Sequence, residues 1–141
     1  MKEIINECGL YDANLIDDMI SGYLLNTSNE RWICNINNTN ELVGLAYYIP
    51  EKMTNGTWNI LLIAVLPNQQ GKGIGGQLIT HVINDLKKSG NEHLLLVETS
   101  SLPEYEKSRQ FYLHRGFHEE CRIKDFYQKD EDKVVFTMKL C

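Results

Sequence analysis

The chain has 141 residues, 43% of them hydrophobic and 23% charged, with only three prolines. That is ordinary globular composition for one core and one domain spanning 1–141, and it excludes a low-complexity or disordered polymer. The net charge of -5 arises entirely before residue 51, where seven acids (Glu3, Glu7, Asp12, Asp17, Asp18, Glu30 and Glu41) face two bases, Lys2 and Arg31. This balance disfavours a nucleic-acid backbone as the main partner and tolerates a cationic or amine ligand, although a solvated acidic face explains it as well.

No apolar run approaches the roughly 18 residues of a membrane span, and the first residues carry no secretory pattern. The four cysteines, Cys8, Cys34, Cys121 and Cys141, are widely spaced and include no CxxC pair. A cytoplasmic protein with free thiols, outside any membrane, is therefore expected. His114 and His118 are separated by Gly116, so they fit surface histidines better than a metal site, and none is expected.

Residues 1–10 contain the apolar pair Ile4 and Ile5 before Gly9, which fits either a brief first strand or an ordered arm. Ala13 to Leu25 repeats apolar residues at steps of three and four and predicts a helix, with Asp12 as its N-cap. Arg31–Ile36 and Leu42–Ile49 are rich in aromatic and branched residues. The intervening Asn37-Asn38-Thr39-Asn40 marks them as a hairpin.

Trp58–Leu66 is the most continuously apolar stretch, which predicts a central strand buried on both faces. It breaks at Pro67 into a glycine-dense turn, and Ile74, Leu78, Ile79, Val82, Ile83 and Leu86 then give one stripe of a helix reaching about Lys88. Such a turn leaves backbone N–H groups unpaired at the helix start, a setting suited to phosphate or pyrophosphate. Leu94–Val97 predicts a second buried strand, parallel to the first through a right-handed crossover, with Glu98 at its carboxyl end. A helix over Pro103–His114 follows, with Leu102, Tyr105, Ser108, Phe111 and Tyr112 available to face inward. Phe117–Lys124 and Val134–Leu140 predict two antiparallel strands around a charged loop, Asp125–Lys133. The fold class expected is α/β (α+β), with helices flanking a mixed, mostly antiparallel sheet that contains one splayed parallel pair.

Gly71, Gly73 and Gly76 match GxGxxG literally, but the motif follows a hairpin in mid-chain, and too little chain remains for a doubly wound dinucleotide fold. A Walker A loop fails because no GK[ST] occurs. The run Gln70-Gly71-Lys72-Gly73-Ile74-Gly75, after Ala64-Val65 and Pro67, resembles instead the Q/R-x-x-G-x-G/A acyl-CoA loop of the GNAT superfamily of N-acetyltransferases. Phe111-Tyr112 followed by Gly116-Phe117 resembles the same superfamily's FYxxxGF element. The resemblance covers residues 13–140 and suggests its small single-domain branch.

The resemblance implies acetyl-CoA as acyl-donor co-substrate, with no metal, and direct attack by a primary amine of a small molecule or peptide, in some members a cationic one. It places the pyrophosphate of coenzyme A on Gln70, Gly71, Lys72, Gly73, Ile74, Gly75 and Gly76, and the pantetheine arm beside Ile63 and Val65, with Ser108 and Phe111 nearby. A bulge in the first parallel strand commonly opens that cleft. Tyr112 matches the family's tyrosine near the coenzyme sulfur, and a phenol of ordinary pKa ~10 suits protonation of a departing thiolate.

Two departures stand out. The glutamate that many relatives carry before the glycine loop is absent from Trp58-Asn59-Ile60-Leu61-Leu62-Ile63, leaving Glu98 as the nearest candidate for a base or cation-binding group. A structural carboxylate bonded to the Thr99–Ser101 turn or to Arg109 is the competing role. Tyr105 stands where a frequent family pattern has asparagine, seven residues before Tyr112, and Arg109 is open to pairing with Glu98 or Glu106 or to touching the donor. Tyr47, Tyr48, Trp58, Phe126 and Tyr127 are candidates for an acceptor pocket, at least half of them expected to be plain packing. Acyl-CoA binding without transfer and a protein-interaction role are the competing functions, and a homodimer through the C-terminal strands is compatible with the pattern.

Overall fold

A computed structural model describes residues 2–8, 16–25 and 29–141. The first segment is helix α1 (Lys2–Cys8), not the strand or arm expected. Ile4 and Ile5 are both buried against Leu45, Leu62 and Ala64. Adjacent residues of a strand point to opposite faces, whereas a helix turns them by only about 100°, so a single helical face can bury both. Helix α2 (Ile16–Leu24) lies within the predicted stretch, and the proposed Asp12 cap falls outside the described residues. Ile20 packs on the same cluster as α1, while Tyr23 and Leu24 remain exposed.

Strands β1 (Arg31–Ile36) and β2 (Leu42–Pro50) form the expected hairpin. Asn37 makes the turn, its Oδ1 accepting from the N–H groups of Thr39 and Glu41 at 3.0 and 2.9 Å. β3 (Thr57–Val65) pairs antiparallel with β2, and helix α3 (Ile74–Ser89) carries the chain over to β4 (Leu94–Ser100), parallel to β3. Helix α4 (Glu106–His114) begins after a 3-10 turn at Pro103–Tyr105. The hairpin of β5 (His118–Gln128) and β6 (Glu131–Lys139) closes the sheet, whose strand order is β1-β2-β3-β4-β6-β5. Among the described residues, no helix is long and apolar enough to cross a membrane.

The charged stretch 125–133 is therefore mostly strand, not loop. β5 is an edge strand with all eleven residues exposed, so charged side chains there stay in water while the backbone still pairs. The turn itself is short and uses Asp130 at φ 64, one of the residue types that tolerate the left-handed region.

One core lies between the sheet and α3/α4, with Leu78, Ile79, Val82, Leu86, Tyr112 and Phe117 packed on Ile60, Leu95, Val97 and Phe136. The opposite sheet face carries α1 and α2. A polar tie fixes α3 to the first hairpin. Asp85 accepts 2.6 Å hydrogen bonds from Arg31 and from the hydroxyl of buried Tyr48, and Arg31 also lies over the Trp58 ring at 4.6 Å. Burial opposes ionisation of Asp85, but the Tyr48 hydroxyl and the Arg31 guanidinium outweigh it and hold the carboxyl below its ordinary range. Burial, with the Asp85 carboxylate, pushes the Tyr48 phenol well up.

Candidate active site

The site begins with a change of register in β3. Tyr47 pairs with Leu62 and Tyr48 with Ile60, so Leu61 is an extra residue and β3 bulges there. This corrects the expectation of a strand buried on both faces, since Leu61 is exposed and lines an opening. The parallel pairing of β3 with β4 runs only from Thr57–Leu94 to Ile60–Val97. Beyond that point the strands separate. The Val65 carbonyl accepts instead from side chains, Gln70 Nε2 at 3.1 Å and the Cys8 thiol at 3.3 Å.

The glycine loop closes one end of the opening. Gly71 and Gly73 have φ of 77 and 84, a region that penalises any side chain, and no neighbouring atom crowds either one. Gly73 is the N-cap of α3 and no side chain caps the helix start. The first amides of α3 are thus available to an anion at the positive end of the helix dipole. The next two glycines have close neighbours: a Cβ at Gly75 would stand 3.3 Å from the Phe111 ring, and one at Gly76 would displace the guanidinium at the far end of the Arg115 side chain.

A cavity of about 850 Å³ runs from this loop through the separated strands. It gathers the predicted donor residues Ile63, Val65, Gln70, Gly71, Gly73, Ile74, Gly75, Gly76, Ser108 and Phe111, together with Tyr112 and Glu98. Lys72 is the exception, because its ammonium bonds Gln69 Oε1 at 3.0 Å and it does not line the wall. Tyr112 is buried with its ring edge-on to Phe111 and Phe117 and 5.8 Å from Phe136, so packing fixes the ring that lines the cavity.

Glu98 lies within β4, opposite Val135 of β6, and not at the strand's end. Its partner is neither the following turn nor Arg109. Glu98 Oε2 accepts from Lys133 Nζ at 2.8 Å, and that ammonium sits 3.6 Å from the Phe126 ring centroid. Arg109 is buried and committed elsewhere, donating to the carbonyls of Ser100 (2.6 Å) and Leu102 (2.9 Å) and to Glu106. It therefore staples the β4–α4 connection, and its neighbour Ser108 lines the cavity instead.

Of the aromatic candidates, Tyr47, Tyr48 and Trp58 are core residues, whereas Tyr127 lines the cavity and Phe126 supports Lys133. Tyr105, expected to face inward, lines it as well, and so do Lys107, Arg115 and Glu131, which did not stand out in the sequence. Lys107 and Arg115 were detectable, standing four residues to either side of the expected Phe111, Lys107 on α4 and Arg115 at its C-cap. Arg115 also borders a shallower hollow of about 410 Å³ shared with Gly73 and Gly76. Among the described residues no group of three or more His, Cys, Asp or Glu side chains is placed to hold a metal.

The model of the acetyltransferase (GNAT) family matches residues 3–117. An uncharacterised N-acetyltransferase of Bacillus subtilis (strain 168), YsnE, is 36% identical over 69 residues, covering 49% of this chain and 44% of the relative, so the match spans less than half of that protein. Among solved structures, one assigned to the GNAT acetyltransferases from Desulfovibrio desulfuricans superposes with a TM-score of 0.90 at 26% identity, covering 99% of this chain and 90% of the other. An aminoglycoside 6'-N-acetyltransferase in complex with coenzyme A shares the fold, with a TM-score of 0.79 at 13% identity over 99% and 88% of the two chains. With the family model spanning most of its length and the fold superposing throughout, the chain belongs to the GNAT family of acetyltransferases.

Proposed function

We propose that the protein transfers acetyl from acetyl-CoA to a primary amine by direct attack within a ternary complex. The observation that carries this reading is the continuity of one cavity, from an uncapped, glycine-lined helix start, past a strand bulge, to Tyr112 and Glu98. The residues present fit the donor. The open space over Gly71 and Gly73 suits a pyrophosphate on the loop amides, and Arg115 and Lys107 add positive charge along one wall. Bound there, acetyl-CoA supplies the activated acyl group.

The chain's own groups then have separable tasks. The separated edges of β3 and β4 near Ile63 and Val65 take the extended arm of the donor, and backbone donors around the Leu61 bulge meet charge developing on the thioester oxygen. Glu98 accepts, directly or through water, the proton that an ammonium must lose before its nitrogen can attack. The Tyr112 hydroxyl gives its proton to the departing thiolate as the C–S bond breaks and takes back, through water, the second proton that the attacking nitrogen loses as it becomes an amide, while Glu98 releases its proton to solvent.

Release of free thiol from acetyl-CoA against a panel of amines tests the proposal. Amine-dependent release with an equal amount of acetylated amine is expected. Acetyl-CoA binding without release across the panel would make this an acyl-CoA-binding domain, and no acetyl-CoA binding at all would reject the donor site.

A further inference from the structure

The cavity is polarised by charge, and the polarity identifies a residue for the acceptor. Its basic lining residues, Lys107 and Arg115, stand on the α4 stripe that includes Phe111, and Arg115 packs on the glycine loop. Its acidic lining residues, Glu98 and Glu131, come from β4 and β6. Glu98 is opposite Val135 and Ser100 is opposite Lys133, and direct partners in an antiparallel pair share a face. Alternation along β6 adds Glu131 to that face, away from α3 and α4, where Val97, Val134 and Phe136 pack.

The two carboxylates are not equivalent. Glu98 has a built-in cation, since Lys133 holds it at 2.8 Å and is itself pinned over the Phe126 ring with its side chain only 12% exposed. Glu131 receives neutral donors, the Ser100 hydroxyl at 2.7 Å on Oε1 and the Gln128 amide at 2.8 Å on Oε2. Among the described residues no cation stands within ion-pair distance of it. Those two hydrogen bonds fix the direction of the carboxylate without cancelling its charge. Tyr105 and Tyr127 also line the cavity and add aromatic rings suited to an aliphatic or cationic chain.

We infer that Glu131 binds a second positive charge on the acceptor, remote from the nitrogen that is acetylated, so that the preferred substrates are amines carrying at least two ammonium groups. This rests on the acetyltransferase reading and deepens it. The reacting amine meets Tyr112 and Glu98, while the spectator ammonium pairs with Glu131. Lys133 is a positioning residue in this arrangement, because by occupying Glu98 it keeps the spectator charge from settling beside the reacting centre.

Cadaverine and pentylamine, one chain bearing two ammonium groups and the other one, test the inference. With wild-type enzyme and saturating acetyl-CoA, cadaverine is expected to have a kcat/KM at least ten times that of pentylamine. Glu131→Gln keeps an oxygen to accept from the Ser100 hydroxyl and an amide N–H to donate to Gln128 once that side-chain amide turns over, and it should erase most of that preference through KM for cadaverine, leaving KM for acetyl-CoA unchanged. Glu131→Lys should invert the preference, and it serves as the second variant should the first prove poorly folded. A wild-type preference below threefold, or one that survives in both variants, would overturn the inference while leaving the transferase intact. Calorimetric binding of cadaverine separates the two readings. Affinity that falls tenfold in Glu131→Gln without any acetyl transfer would support the binding role of Glu131 and sink the transferase.

Discussion

The two ends of the cavity are built from different materials. At the glycine loop the proposed binding groups are backbone amides, left open by missing side chains and fixed by a helix start. For the proposed acceptor they are side chains, Glu98, Glu131, Tyr105 and Tyr127, brought together from two separate stretches of the chain, 98–105 and 127–131. A site made of backbone accepts one ligand shape and tolerates variation in the side chains around it. A site made of side chains can be re-specified by single substitutions without disturbing the fold.

The comparison can be broken most sharply where the two ends meet. On the proposed mechanism, Tyr112→Phe keeps the ring contacts with Phe117 and Phe136 but removes the acid, so kcat should fall at least about a hundredfold while KM for acetyl-CoA changes less than threefold. Steady-state kinetics with varied donor and saturating amine would show it, and an unchanged kcat would assign Tyr112 to packing alone. Arg115→Ala probes the donor end by itself. Loss of one charge-assisted contact should weaken acetyl-CoA binding roughly tenfold at low salt and by less as salt rises, with KM for the amine unaltered. Equal weakening of donor and acceptor would erase the division between the ends.

The smallest effect concerns the support beneath the donor end. Asp85→Asn should lower stability by about 1–2 kcal/mol, measured as a reduced Tm, because Tyr48 and Arg31 lose a charged acceptor. The carboxyl of Asp85 is held below its ordinary range, so this stability is fully present above the unfolded-state pKa near 3.9 and is lost as pH falls through the lower folded value. The Tm gap between wild type and variant should therefore close below about pH 4, and a gap independent of pH would remove charge from the explanation.

What the sequence disclosed follows the same division. Gly73 and Tyr112 lie in local patterns whose spacing dictates a turn and a helix face, so the donor end was readable from neighbours in the chain. The Glu98–Lys133 pair spans 35 positions, and only the β4–β6 register brings its members together. Glu131 was hidden for another reason, since it opens β6 directly after β5, an edge strand whose exposed, charge-rich residues have the composition of a loop. The helix at Lys2–Cys8 was too short for periodicity to separate it from a strand. Its two buried isoleucines acquire meaning only from the sheet beneath them.

The four parallel rungs from Thr57–Leu94 to Ile60–Val97 have a mechanical consequence. Among the described residues they join a leaf of β1, β2 and β3 to a leaf of β4, β6 and β5, extended at one end where the Gly56 carbonyl accepts from the His93 and Leu94 amides. Two stiff three-stranded leaves stitched along one short edge flex about that edge more readily than either leaf bends within itself. An extended molecule lodged past the last stitch would bridge both leaves and stiffen the sheet, so occupancy should register across the full width of the protein and not only at the atoms touched.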